Sequence, residues 1–285
     1  MKQSNYEKPT TYRFFVLNIK IISDKPVKAQ SYKDLFVNSF KNKTMGRIRG
    51  ERFGIIRQLF SKQNTLYIYG TFCSFVKIEG LALDLESMDI VEYEIPKNIL
   101  PNAKETRFVF YPELHRLAIY AGGEVSIYAI INMLRDMLMK TIGEENRIDI
   151  VIEQSVDGFN RILDAAEIRS LYIEVSPSNG DLNKDYVKFV DNDLKNGNLD
   201  QLKMEMRPRG KSSLNYEGSQ ILQGVMGMAR SNGFAKAQII TKDNKHEKIE
   251  TTEYPRNFSV ICVKEEDAML EMYNELKSEY KDDKK

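Results

Sequence analysis

Residues 45–78 read MGRIRGERFGIIRQLFSKQNTLYIYGTFCSFVKI. Two runs rich in β-branched and aromatic residues flank Ser61-Lys62-Gln63-Asn64. This pattern predicts an antiparallel ribbon of two strands, Arg47–Phe60 and Thr65–Ile78. On the returning strand Tyr67, Tyr69, Thr71, Cys73 and Phe75 share one face. Leu66, Ile68, Phe72, Val76 and Ile78 lie on the other. Such a ribbon is covered on both sides, or covered on one and gripping something with the other. Gly46, Gly50, Gly54 and Gly70 fit bends, bulges or close backbone approach.

The same stretch is unusually basic. Lys41, Lys43, Arg47, Arg49, Arg52, Arg57 and Lys62 stand against a single acid, Glu51, while the whole chain carries a net charge of only +1. No global field therefore draws the protein to nucleic acid or membrane, and any attraction is local. If Arg47–Phe60 were one strand, Arg47, Arg49 and Arg57 would share a face and Arg52 would take the other. Asp84, Glu86, Asp89, Glu92 and Glu94 follow within a few residues of the ribbon. They offer an internal neutraliser for the same arginines.

Outward from the ribbon, Thr11–Ser23 alternates as a strand, with Leu17, Ile19 and Ile21 opposite Asn18 and Lys20. Ser31–Asn42 has helical spacing, Ser31 standing as cap and Asp34 three residues on. Leu81–Pro101 reads as irregular, with Leu83, Leu85, Met88 and Ile90 packing over the ribbon. Arg107–Tyr111 and Leu114–Tyr120 predict a second hairpin. Ser126 opens a helix to Met139, and Gly143 stops it. From Arg147 strands alternate with helices: strands 148–153, 170–175, 201–206 and 234–241, helices 156–163, 183–194 and 216–231. Lys245–Thr252 and Phe258–Val263 follow as strands, and Glu265–Tyr280 as a charged helix. LYIEV and LKMEM both run into a proline, Pro177 and Pro208. The expected class is α+β: a hairpin-rich β domain over 11–143, then a layer of alternating strands and helices over 147–280.

Length and composition fit a soluble globular protein: 285 residues, 42% hydrophobic and 29% charged, with 14 Phe and 15 Tyr to fill the core. The N-terminal MKQSNYEKPT has no apolar segment of signal-peptide length. No run approaches the roughly 18 apolar residues of a membrane span. Cys73 and Cys262 are the only cysteines and stand in no metal-like spacing. Both read as buried reduced thiols of a cytoplasmic protein.

The ribbon arginines Arg47, Arg49, Arg52 and Arg57 suit phosphate contact, because a guanidinium forks onto an oxyanion. Phe53, Tyr67 and Tyr69 are placed to stack on bases. A second basic cluster, Arg207, Arg209 and Lys211, follows a strand, as Asn179-Gly180 follows the preceding one. The two loops would line one edge of the C-terminal sheet. The alternative for each cluster is a solvated strand face or an ordinary turn. Gly224 and Gly227 lie inside a helix, so they predict close helix packing and no nucleotide loop, and there is no P-loop. Asp149, Glu153, Glu174 and Glu205 are strand acids of the sort that hold a nuclease metal. The lysine two residues on is missing, and Arg207 stands there after Glu205. His115 and His246 neighbour no nucleophile. No cofactor is implied.

The phrases IRGERFGIIRQLF, YGTFCSFVKI, FVFYPELHRLAIY, IDIVIEQS and LYIEVSPSN resemble an uncharacterised bacterial domain-of-unknown-function family over roughly Tyr12–Pro255. The resemblance implies a prophage or phage-defence setting. A looser architectural likeness to the prophage exclusion protein RexA implies a dimeric DNA-binding sensor, with no residue carried over. The expectation is a non-enzymatic, DNA-binding, homodimeric defence component. An interaction adaptor presenting Met269, Met272 and Tyr273 to another product of the same operon, and a metal-dependent nuclease, stand as alternatives.

Overall fold

A computed structural model of the chain describes residues 8–23, 27–61, 67–77, 80–92, 96, 98–178, 185–210 and 212–282. The elements in chain order are β1 (Thr10–Ile22), α1 (Ala29–Lys41), β2 (Gly46–Arg49), β3 (Arg52–Ser61), β4 (Ile68–Val76), β5 (Leu81–Leu83), β6 (Ile90–Glu92), β7 (Lys104–Tyr111) and β8 (Arg116–Tyr120). There follow α2 (Ile127–Ile142), β9 (Arg147–Ile152), α3 (Val156–Leu163), β10 (Glu167–Val175), α4 (Asp185–Asn196), β11 (Leu202–Met206), α5 (Gln220–Asn232), β12 (Gly233–Ile240), β13 (His246–Glu250), β14 (Asn257–Cys262) and α6 (Glu265–Asp282). The protein is α+β. It divides into two compact units: a ribbon unit of 21–115 with 119–149, and a second unit of the described residues up to Lys20, Arg116–Ala118 and those from Ile150 onward.

In the ribbon unit the strands run β7-β4-β3-β2, each pair antiparallel. β4 is central and buried along nearly its whole length, which explains why both of its faces read as apolar. α1 directs Tyr32, Leu35 and Phe36 inward. Phe36 stacks on Phe110 at 4.5 Å, and Phe72 on Phe108 at 4.1 Å. Ser31 does not cap α1, for the helix starts after Lys28, whose side chain makes no cap bond. Ser126 does cap α2, accepting from the Ala129 N–H at 3.3 Å.

The strand expected over Arg47–Phe60 is two strands. Arg49 faces Arg52 across β2 and β3, leaving Gly50 and Glu51 as the tip. Gly50 has φ 54°, a left-handed conformation that glycine adopts without a Cβ penalty. Gly46 and Gly54 serve close packing. A Cβ on Gly46 would lie 2.0 Å from the Met133 carbonyl oxygen, and one on Gly54 2.3 Å from Met133 Sδ. The β3–β4 register shifts between Ile56 and Gln58, so Arg57 is the extra residue of a bulge. The turn expected at 61–64 lies, after Ser61, outside the described residues.

Leu81–Pro101 also departs from expectation. β5 and β6 form a separate antiparallel pair, Leu81 opposite Glu92 and Leu83 opposite Ile90. Leu83, Leu85, Met88 and Ile90 are exposed and do not pack over the ribbon. The hairpin has a built tip: Asp84 Oδ1 accepts from the Glu86 and Ser87 N–H groups at 2.8 and 3.3 Å.

The second unit holds β14 and β1, with Arg116–Ala118 of β8 and the part of β9 from Ile150 beside β1, and a four-stranded sheet β11-β10-β12-β13. Its three pairings are all antiparallel. Side chains of α3, α4 and α5 form its core with Leu171, Ile173, Val175, Ala235, Ala237 and Ile239. Gly224 and Gly227 let α5 approach α4, since added Cβ atoms would meet the Tyr186 carbonyl oxygen at 2.6 Å and Val187 Cγ2 at 2.4 Å. Among the described residues no helix is long and apolar enough to cross a membrane.

Gly46→Ala should lower unfolding free energy by about 1–3 kcal/mol, the usual cost of overpacking, because the added methyl meets backbone. Gly54→Ala should cost less, because the flexible end of Met133 can move. Urea melts of the two variants check the order, and equal losses would contradict it.

Candidate nucleic-acid interface

Backbone reach sets the arginines of the ribbon unit. The Arg47 N–H donates to Asp136 Oδ2 at 2.7 Å, and its own Nε folds back to the Gly50 carbonyl at 3.0 Å. Lys140 Nζ joins the same Asp136 at 2.5 Å and the Met45 carbonyl at 3.1 Å. Asp136 is therefore occupied by groups that hold β2 against α2. Arg49 is exposed and, like Lys43, makes no side-chain bond to any other described residue. Arg52 NH1 donates to Ser74 Oγ at 3.2 Å. Arg57 turns to Glu105 on β7, its NH2 bonding Oε2 at 3.1 Å.

The arginines thus separate by strand. Arg47 and Arg49 lie on β2 beside the tip, whereas Arg52 and Arg57 are engaged by β4 and β7. The chain reverses at Gly50-Glu51, yet Arg47, opposite Phe53, and Arg57, bonded to Glu105, lie on one face with Phe53, Ile55 and Cys73, while Arg49 stands opposite Arg52. Asp136 and Glu105 meet the ribbon, whereas among the described residues no acid of the Asp84–Glu92 stretch bonds a ribbon arginine; Glu94 and Lys62 lie outside the described residues. The aromatic candidates are largely committed. Tyr67 is buried, and Tyr69 stacks between Tyr67 at 5.5 Å and Phe60 at 5.2 Å.

In the second unit Arg207 clamps Glu205, Nε and NH2 lying 3.1 and 2.7 Å from Oε1. This pair is widely exposed and contributes little energy. Arg209 is exposed, and its carbonyl accepts from Ser212 N and Oγ at 3.2 and 2.6 Å. Lys211 and Asn179-Gly180 lie outside the described residues. The loops after β10 and β11 do not share an edge. Leu171 pairs with Met206 and Val175 with Leu202, so an antiparallel register sends the ends before Pro177 and Pro208 to opposite ends of the sheet.

The strand acids have other work. Glu153 is buried and pairs with buried Arg116 Nε at 2.5 Å. Its other oxygen accepts from Tyr280 Oη and faces Arg256 at 3.6 Å. Arg116 also lies over the Tyr280 ring at 5.0 Å. Glu174 accepts from Tyr172 Oη at 2.9 Å and Gln201 Nε2 at 2.6 Å. Asp149 belongs to the ribbon unit. Among the described residues no three His, Cys, Asp or Glu side chains gather as a metal site. Burial, then Glu105, pushes the Cys73 thiol up, and burial also raises Cys262; neither is an activated thiolate. His115 packs on Tyr32 at 4.4 Å.

Sequence reasoning missed a buried polar row in the second unit. Lys20 Nζ donates to Ser176 Oγ at 2.6 Å and to the Pro177 carbonyl at 3.0 Å. Asn18 is fully buried and bonds the Ser231 carbonyl at 3.1 Å. Asp191 accepts from Ser178 N and Oγ at 2.6 and 2.7 Å and from Lys195 at 2.6 Å. The only signal was the polar face of β1, which is indistinguishable in sequence from a solvated one.

Fold and site define an α+β protein whose ribbon unit carries a cationic hairpin tip. The chain belongs to the DUF4747 family, a domain of unknown function, whose sequence model matches residues 10–278. No curated protein matches it.

The Glu153 cluster gives a sharp stability test. Glu153→Ala leaves Arg116 buried without its carboxylate, and should cost about 3–5 kcal/mol in a urea melt. Burial, with Glu153 beside it, holds the Tyr280 phenol well above its ordinary pKa. The folded state favours the neutral phenol, so its contribution is complete below about pH 10 and is lost as pH rises through the raised value. Tyr280→Phe should make stability fall less steeply above that pH; an unchanged alkaline slope would contradict this.

Proposed function

We propose that the protein binds nucleic acid, double-stranded DNA first, by largely sequence-independent phosphate contacts at the β2–β3 tip. The observation that carries this reading is a set of exposed cations around one hairpin end. Arg49 at the tip makes no side-chain bond to another described residue, the terminal nitrogens of Arg47 make none among the described residues, and Lys43, equally unbonded, stands before β2 at the strand's other end. A backbone fixed by Gly50 and held to α2 presents them with little ordering cost. Arg52 and Arg57, tied to Ser74 and Glu105, shape the field and would contribute less direct contact. Arg207 and Arg209 are accessory sites by the same criterion, Arg207 being neutralised by Glu205.

The chemistry asks only for charge and position, so the role is non-enzymatic. The resemblance to a family of prophage and defence loci supports a DNA-binding component or sensor of a bacterial anti-phage or prophage exclusion system. An adaptor role is the second reading, favoured by the exposed β5–β6 hairpin. It is not favoured by α6, whose Met269 and Met272 are buried.

Fluorescence polarisation with a labelled duplex across a salt series tests the proposal. Log affinity should fall linearly with log salt, and Arg47→Ala with Arg49→Ala should reduce the slope by about 2, roughly 1 per lost phosphate contact. Absence of binding at low salt, or an unchanged slope in the double variant, would overturn it.

A further inference from the structure

The β5–β6 hairpin is built inside out. Leu81, Leu83 and Ile90, at 70%, 53% and 69% exposure, share its outward face, and Leu85 and Met88 at the tip are 80% and 68% exposed. The opposite face carries Ala82 and Val91, which pair across it and are less exposed. A contiguous apolar patch on a water-facing hairpin is a recognition surface more often than an accident. The hairpin is also shaped before any partner arrives. Asp84 N–H donates to the Asp89 carbonyl at 2.9 Å, and Ser87 Oγ accepts from the Asp89 N–H at 3.2 Å.

Charge selects the partner. Between Leu81 and Glu92 stand Asp84, Glu86, Asp89 and Glu92 and no Lys or Arg. The complement is a cationic surface, and the chain carries one at β2, where Lys43 before the strand and Arg49 at its end are exposed, with Met45 exposed between them. The hairpin leaves the ribbon at its Arg49 end. Lys77, three residues before Gly80 and the start of the hairpin, donates its N–H to the Glu51 carbonyl at the arginine tip, at 2.8 Å. The hairpin nevertheless leaves its own ribbon uncovered, its leucines remaining in solvent.

We propose that the hairpin docks on the β2 surface of a second copy of this chain, reciprocally, forming a twofold dimer. Complementary patches close together on one unit suit such an arrangement, because one rotation makes both contacts at once and closes the assembly. The acidic hairpin then occupies the cations that would otherwise meet phosphate. Dimer assembly and nucleic-acid binding compete for Arg49.

The test uses the full chain in sedimentation experiments without nucleic acid, so its failure leaves the phosphate reading standing. The wild type should dimerise. Leu83→Asp with Ile90→Asp should give monomers that keep the wild-type far-ultraviolet circular dichroism, since both positions are exposed. Two charge-reversed chains, Glu86→Arg with Glu92→Arg and Lys43→Glu with Arg49→Glu, should each weaken self-association by roughly tenfold or more. Mixed in equal amounts, they should associate again, because each then offers the opposite sign to the other. A monomeric wild type, unaffected variants, or a mixture that stays monomeric would each overturn the proposal. So would a monomer whose hairpin instead binds phosphatidylcholine vesicles in a Leu83-dependent manner, which would assign the patch to a lipid surface.

Discussion

The contact between α2 and the edge strand β2 governs the ribbon unit. An edge strand exposes backbone donors and acceptors that invite another chain. Here α2 supplies partners for them. Asp136 takes the Arg47 N–H, and Lys140 takes the Met45 carbonyl. The helix comes so close that Gly46 has no room for a Cβ beside the Met133 carbonyl.

The chain uses arginine in two opposite ways. In the second unit Arg116 and Arg256 converge on Glu153 and Tyr280, and Arg116 is almost without solvent contact. A guanidinium there is held by a carboxylate and an aromatic face, and its loss would leave an unpaired charge in a low-dielectric site. At the β2–β3 tip Arg49 remains in water. A cation in the first setting is committed to the fold. In the second it remains available, and pairing with an incoming anion releases counterions without a large desolvation cost. Exposure and partner count, not residue type, separate the two.

This distinction explains what the sequence could show. The α+β class, the capped start of α2 and the role of Gly224 and Gly227 were legible, because each depends on local periodicity or on residues too small for their surroundings. The reversal at Gly50 was not. Without the Arg49–Arg52 pairing, GRIRGERFGI fits a bent strand as well as a hairpin. The bulge at Arg57 was hidden as well, since an unpaired extra residue leaves no mark in composition. The burial of Asn18 and Lys20 was equally hidden: alternation says that two faces differ, not which of them meets water. The antiparallel register of β10 and β11 separated two loops that similar strand sequences had suggested were neighbours.

The acid-rich stretch after the ribbon was legible as a charge, and its leucines as apolar, but their arrangement was not. As a loop over the ribbon it would have neutralised the arginines within one chain. As a hairpin with its apolar side outward it keeps both charges unspent on a protein that is nearly neutral overall. Opposite patches close together on one unit attract each other's counterparts on a second molecule, and do so only within about 8–10 Å at ordinary salt. Raising salt weakens that attraction as it weakens phosphate binding, while exposed leucines hold their affinity, since apolar burial does not depend on screening. A dimer held by both terms therefore persists at salt concentrations that strip DNA from the same arginines. Salt alone shifts the balance between the two partners of Arg49 toward protein.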